Sequence, residues 1–297
     1  MLVLSALWGA VYLLIEIALR QLSPPLIVFG RMGLAALVLV PLAIKRGAFQ
    51  ALRGHLRIVL GAVLVQLTVP SLLLTFGQLS VSSALAGILV GAQPLFVTLL
   101  AVRFSPTERS RGWRGPIGIA VGFIGLVLIF GVDLSGGEGA LIGGLLLLIA
   151  AFCYAAGAIM IHRWLTSAEP LGIATSGVLV TTVALSVPAM LSLPDQLPGL
   201  DTLLAVSVLG LVCTGFALVL HYHLIASFGP TRAALAFYLS PAFAMVYSTL
   251  LLNEGITVSM FVGLIAIIVG SVLAWRRPGA PLRYEKRLHS ASLALPR

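Results

Sequence analysis

At 297 residues, the chain is 60% hydrophobic and only 9% charged, with a mean hydropathy of +1.12 and a formal net charge of +9. Soluble domains devote roughly a quarter of their residues to charge, so this composition excludes a water-soluble globular fold. The basic excess invites a nucleic-acid partner, but arginines flanking membrane spans beside anionic headgroups account for it better.

Apolar runs follow one another along the chain, each of roughly 18 to 25 residues and so long enough to cross a hydrocarbon core of ~30 Å. Backbone groups there find no water, so the runs must be helices. Ten are predicted, at about 2–19, 25–44, 57–78, 82–102, 115–132, 139–161, 171–191, 202–225, 231–252 and 256–275. The first carries Trp8 and Tyr12 one turn apart, then Glu16; the second opens at Pro25 and holds Arg31. Gln66 and Thr68 fall in the third, and Gln93-Pro94 in the middle of the fourth. The fifth presents Gly118, Gly122 and Gly125 on one side, a pattern for close helix packing. The stretch Asp133-Leu134-Ser135-Gly136-Gly137-Glu138-Gly139 reads as a short exposed linker. Tyr154 lies in the sixth run, Thr214 and Tyr222 in the eighth, Tyr238, Ser240 and Pro241 in the ninth, and Gly263 and Gly270 in the tenth. The tail, 276–297, is basic and carries Pro278, Pro281 and Pro296, which predicts a disordered, lipid-associated end.

One pattern occurs twice, about 147 positions apart. Ala84-Leu85-Ala86, Pro94, Glu108, Gly118 and Gly125 are matched by Ala233-Ala234-Leu235, Pro241, Glu254, Gly263 and Gly270. The flanking charge is reversed. Arg103, Arg109, Arg111 and Arg114 follow the first apolar stretch, whereas Asn253-Glu254-Gly255 follows the second. With the N-terminus inside, every Lys and Arg except Arg20 and Arg31 falls on the cytoplasmic side or in the tail. Asp133, Glu138, Asp195, Asp201 and Glu254 fall on the other side. The bias places both termini in the cytoplasm. The expected fold is all-α and membrane-embedded: ten transmembrane helices as two inverted five-helix repeats around a central cavity, an arrangement typical of secondary carriers. The repeats are expected at 1–133 and 139–275.

Trp8-Gly9, Pro25 followed by Arg31, and the doubled Ala-rich/Pro/Glu/Gly pattern resemble the EamA-type members of the drug/metabolite transporter superfamily, from Leu2 to Trp275. The resemblance implies a five-plus-five inverted-repeat carrier whose cavity opens alternately to each side, with the fifth and tenth helices as scaffold. Members mostly export amino acids, nucleosides, other metabolites or drugs. Glu16 departs from the pattern, standing where many relatives carry a basic or neutral residue.

The candidate substrate-cavity residues are Trp8, Tyr12, Glu16, Arg31, Gln66, Gln93, Pro94, Tyr154, Tyr222, Tyr238, Ser240 and Pro241. Ionisable groups at membrane depth are functional suspects by default. Glu16 has three readings: an ion pair with Arg31 or Arg20 that locks the first two helices, a proton-coupling carboxylate, or a site for a substrate ammonium. The planar fork of Arg31 suits a substrate carboxylate. Pro94 and Pro241 predict matching kinks near the midplane. Tyr154 is the sixth-helix counterpart of Trp8, 146 positions on.

Catalysis and cofactors are not expected. His221 and His223, two apart, point opposite ways on a helix and cannot share a metal. Cys153 and Cys213 are lone thiols, and no phosphate-binding Gly-Lys-Ser/Thr loop is present. The only acidic residue well inside a span is Glu16, too few for an intramembrane enzyme. The expected partners are a small-molecule substrate and the lipid bilayer, with no nucleic acid, and a homodimer is compatible with this layout. A non-transporting membrane sensor or assembly subunit is the alternative. The expected location is the cell inner membrane.

Overall fold

The computed structural model describes residues 1–52, 54–104, 113–132, 137–165, 168–228 and 235–274. Expectations for Glu108 and the basic loop around it, the linker 133–136, Arg232 to Ala234, the tail 276–297 and the side chain of Tyr222 lie outside the described residues.

Among the described residues all regular structure is helical. The helices are α1 (Leu2–Leu19), α2 (Pro24–Lys45), α3 (Leu56–Gly77), α4a (Ser83–Val90), α4b (Gln93–Phe104), α5 (Arg114–Val132), α6 (Glu138–Trp164) and α7 (Pro170–Met190). After these, α8 runs through Leu200–Ser207, Val208–Phe216 and Ala217–Phe228, followed by α9 (Leu235–Leu252) and α10 (Val258–Ala274). Seven helical stretches among these residues are long and apolar enough to cross a membrane, and three shorter apolar helices, Gly115–Ile129, Ala236–Leu252 and Val258–Leu273, accompany them. Large apolar side chains such as Leu37, Ile124, Val127, Val183, Leu250 and Val269 are exposed on the outer faces. A surface this apolar calls for lipid rather than water.

Several threonine hydroxyls inside the bundle are satisfied within their own helices. Thr75, Thr175, Thr181 and Thr182 each donate to the carbonyl four residues back, at 2.7–2.8 Å. This lets a hydroxyl sit in an apolar helix without an orphaned group.

The principal packing pairs obey one permutation. α1 packs on α8 and α9, and α6 packs on α3 and α4; α2 packs on α8, and α7 on α3. The pairs α2–α7, α4a–α9 and α5–α10 complete the set. Moving every helix five places on maps these pairs onto one another. Glycines set the closest approaches. A Cβ on Gly270 would lie 2.5 Å from Gly118 O, and one on Gly125 would lie 2.9 Å from Gly263 O, so α5 and α10 meet backbone to backbone.

Three local features depart from regular helices. α3 widens into a π segment at Leu64–Thr68, immediately before Pro70, whose ring clashes with the carbonyl four residues earlier. α8 has a longer π segment, Val208–Phe216, where Gly210 and Gly215 let Leu34 and Val38 of α2 approach. The fourth span is broken between Val90 and Gln93, just ahead of Pro94, whereas α9 continues unbroken through Pro241. The two prolines therefore act differently, and the ring of Pro241 lies against Gly91 at the break.

Candidate functional site

Close approach at small residues brings the functional side chains together. A Cβ on Gly9 would lie 2.5 Å from Phe243 Cβ and 2.9 Å from Ser240 O, so α1 crosses α9 in direct contact there. The adjacent Trp8 is thereby held against Phe237, with ring centroids 4.4 Å apart and planes at 26°. His221 of α8 closes this aromatic group, 5.1 Å from Trp8 and 5.8 Å from Phe237. Gly87 admits Ala244 and lets the Tyr12 ring sit against α4a.

Behind these contacts lies a cavity of about 260 Å³, walled by α1, α3, α4, α6, α7, α8 and α9, with Arg31 reaching in from α2. Nine of the twelve sequence candidates line it: Trp8, Tyr12, Arg31, Gln66, Gln93, Pro94, Tyr154, Ser240 and Pro241. The rest of the wall is largely apolar, including Val11, Leu67, Leu74, Val90 and Ile173. A mostly apolar hollow with a few polar groups is the usual form of a small-molecule site. Among the described residues no cluster of His, Cys, Asp or Glu could hold a metal ion.

Arg31 is 8% exposed and donates from Nε to Thr214 Oγ1 at 2.7 Å. Thr214 in turn donates to the Leu209 carbonyl, five residues back, at 2.8 Å. That spacing belongs to the π segment, so the local widening of α8 aims the hydroxyl at α2. The equivalent residue of α3, Thr68, lies 2.7 Å from Thr181 of α7, hydroxyl to hydroxyl. The two halves thus carry related α2–α8 and α7–α3 polar contacts, one of them built around an arginine.

Two candidates stand off the wall. Tyr238 is absent from the lining because it lies about 100° around α9 from Phe237, whereas Ser240 and Pro241 return to the Phe237 face. Glu16 lies a turn beyond Tyr12 and is absent from the lining, while Gln78 Nε2 donates to Tyr12 O at 2.9 Å. Of its three readings, the ion pair is not seen: Arg31 Nε donates to Thr214, and among the described residues Glu16 forms no ion pair with Arg31 or Arg20. Glu16 is half-buried, its Oε2 has no hydrogen-bond partner, and Arg20 and Glu254 lie within electrostatic reach.

Sequence reasoning missed Phe237, Cys213 and His221 as wall residues and did not commit to Thr214. Phe237 and Cys213 offer no contrast inside an apolar run. His221 was weighed only as a metal ligand. Glu254 was also missed in its structural role. Asn253, at φ 55°, ends α9 in the left-handed conformation, and Glu254 N donates to Ser248 O across the turn at 3.2 Å. The Glu254 carboxylate then accepts from Ser83 N at 3.1 Å, from Ala84 N at 3.2 Å, and from Ser248 Oγ. It caps the N-terminus of α4a, where a negative charge complements the helix dipole.

The comparisons with known proteins agree with this architecture. The EamA-like transporter family matches twice, at residues 1–131 and 141–276. YedA of Escherichia coli (strain K12), described as an uncharacterized inner membrane transporter, is 30% identical over 287 residues, covering 91% of this chain and 87% of the relative. YoaV of Bacillus subtilis (strain 168), an uncharacterized transporter, is 24% identical over 273 residues, covering 90% of this chain and 92% of the relative. A crystal structure of a protein 18% identical in sequence shares the fold, with a TM-score of 0.67 and coverage of 97% of this chain and 96% of that one. The double family match, spanning nearly the whole of this helical, multi-pass membrane protein, makes the chain a member of the EamA-like transporter family.

Proposed function

We propose that the chain is a secondary carrier made of two oppositely oriented five-helix repeats, 1–133 and 139–275, which moves a small metabolite or drug across the cell inner membrane by alternating access, with export as the direction. The cavity carries this reading. Elements from equivalent positions of both halves wall it: α1 with α6, α3 with α8, α4 with α9. Trp8 and its counterpart Tyr154 both face it. The fivefold shift that maps the packing pairs onto one another is what a duplicated unit would produce, and reversed flanking charge is what insertion in the opposite sense would require.

The cavity is asymmetric along its length. Its wall reaches Val63, Ile161 and Ile173, near the connections of α2 to α3 and α6 to α7. At the other end Gln78 bonds to the α1 backbone and Glu254 ties α9 to α4a. With both termini in the cytoplasm, as the charge bias indicates, the Val63–Ile161–Ile173 end is the cytoplasmic end, where a solute for export would enter. YedA, named as an inner membrane transporter, fits the same location.

Proteoliposomes holding the purified protein and loaded with a mixture of cellular metabolites test the proposal. A carrier releases at least one solute chemically unchanged, at a rate that saturates with concentration. A membrane sensor or assembly subunit releases none, and that outcome would reject the carrier.

A further inference from the structure

The cavity contains a cation with no counter-ion. Arg31 is nine-tenths buried and lines the hollow, and its Nε is engaged by a neutral hydroxyl. Among the described residues no carboxylate lines the cavity or pairs with Arg31. The titratable groups within electrostatic reach of it are Tyr154, Cys213 and Tyr12, none of them a carboxylate. A guanidinium held in an apolar membrane interior without an anion is strongly unfavourable. Thr214 fixes one edge of the fork and leaves the terminal amino groups for a partner, the geometry in which arginine receives a carboxylate through two parallel hydrogen bonds.

The remaining wall narrows the partner further. Among the described residues no second Lys or Arg lines the hollow, so one negative charge is matched and two are not. Among the described residues no acid lines the hollow to receive an ammonium, and a net cation would meet the like charge of Arg31. The stacked pair Trp8–Phe237 and the rings of Pro94 and Pro241 form an apolar surface suited to a flat or aliphatic body. Resting on the carrier reading above, we propose that the substrate is a small, singly charged organic acid without an amino group, its carboxylate on Arg31 and its apolar body against the Trp8–Phe237 side.

The test uses the purified full-length protein in detergent. Benzoate, 3-phenylpropanoate and hexanoate serve as probes, against 3-phenylpropanamide, phenethylamine and inorganic phosphate, with thermal stabilisation and equilibrium titration as readouts. The acids are expected to bind and to raise the unfolding temperature; the amide, the amine and phosphate are not. Arg31→Met is expected to fold at least as stably without ligand, because a buried unpaired charge has gone, and to bind the acids roughly tenfold or more weakly. Arg31→Lys keeps the charge but loses the fork, so it falls between the two. The wild-type comparison of acid with amide needs no variant and stands if Arg31→Met fails to fold. The assignment is overturned if none of the acids binds, if the amide, amine or phosphate binds as well as the acids, or if folded Arg31→Met retains acid binding. Liposome flux separates this from the carrier reading: transport of only neutral or cationic solutes removes the organic acid and keeps the carrier, and transport of nothing removes both.

Discussion

Gly9 and Glu16, on the same helix, show how far one residue's chemistry predicts its place. Gly9 permits the α1–α9 crossing, because even a methyl group there would overlap Phe243 and the Ser240 carbonyl. Gly9→Ala should lower stability by about 1–3 kcal/mol, the usual range for overpacking, as read by thermal unfolding in detergent; an unchanged midpoint would mean that the crossing is loose. Glu16 does not line the cavity. Glu16→Gln should therefore leave ligand affinity within about twofold, since Glu16 neither lines the cavity nor pairs with Arg31. A tenfold loss on titration would place the carboxylate in the site after all. Polar or aromatic side chains in apolar runs marked nine of the wall residues, because a residue out of keeping with lipid signals an interior position. Depth along a helix was legible for Glu16 and Tyr238, but which neighbours they met depended on rotation and on Gln78, a residue from another helix. Phe237 was invisible because a phenylalanine suits lipid and cavity equally well.

Helix ends and irregularities explain what element boundaries alone leave out. Apolar length made the helices legible, but not the π segments in α3 and α8. Pro70 was their one local cue, whereas the widening of α8 answers to the approach of α2 at Gly210 and Gly215. The doubled Pro and Glu pattern gave no sign that Glu254 caps α4a. Removing that cap gives a prediction at this scale. Glu254→Ala should destabilise the protein by about 1 kcal/mol, while Glu254→Gln, which still accepts hydrogen bonds, should lose less. Thermal unfolding of the two variants side by side decides the point; equal losses would mean that charge alone, and not capping geometry, is what α4a responds to. In the α5–α10 pair, Gly270→Leu would force the helices apart where they now touch backbone to backbone. The expected result is a large drop in folded yield from the membrane, and a normal yield would contradict a scaffold role for that pair.

For the whole molecule the account rests on two similar halves that enter the bilayer in opposite senses and enclose one cavity between them. Substituted-cysteine labelling tests that statement most directly, in a background with Cys153 and Cys213 replaced by serine. Gly54 lies between α2 and α3, and Gln196 occupies the equivalent connection between α7 and α8. In intact cells a membrane-impermeant thiol reagent should label Gln196→Cys and spare Gly54→Cys, and in inverted vesicles the order should reverse. Labelling of both positions from the same face would contradict the inverted arrangement, and with it the carrier.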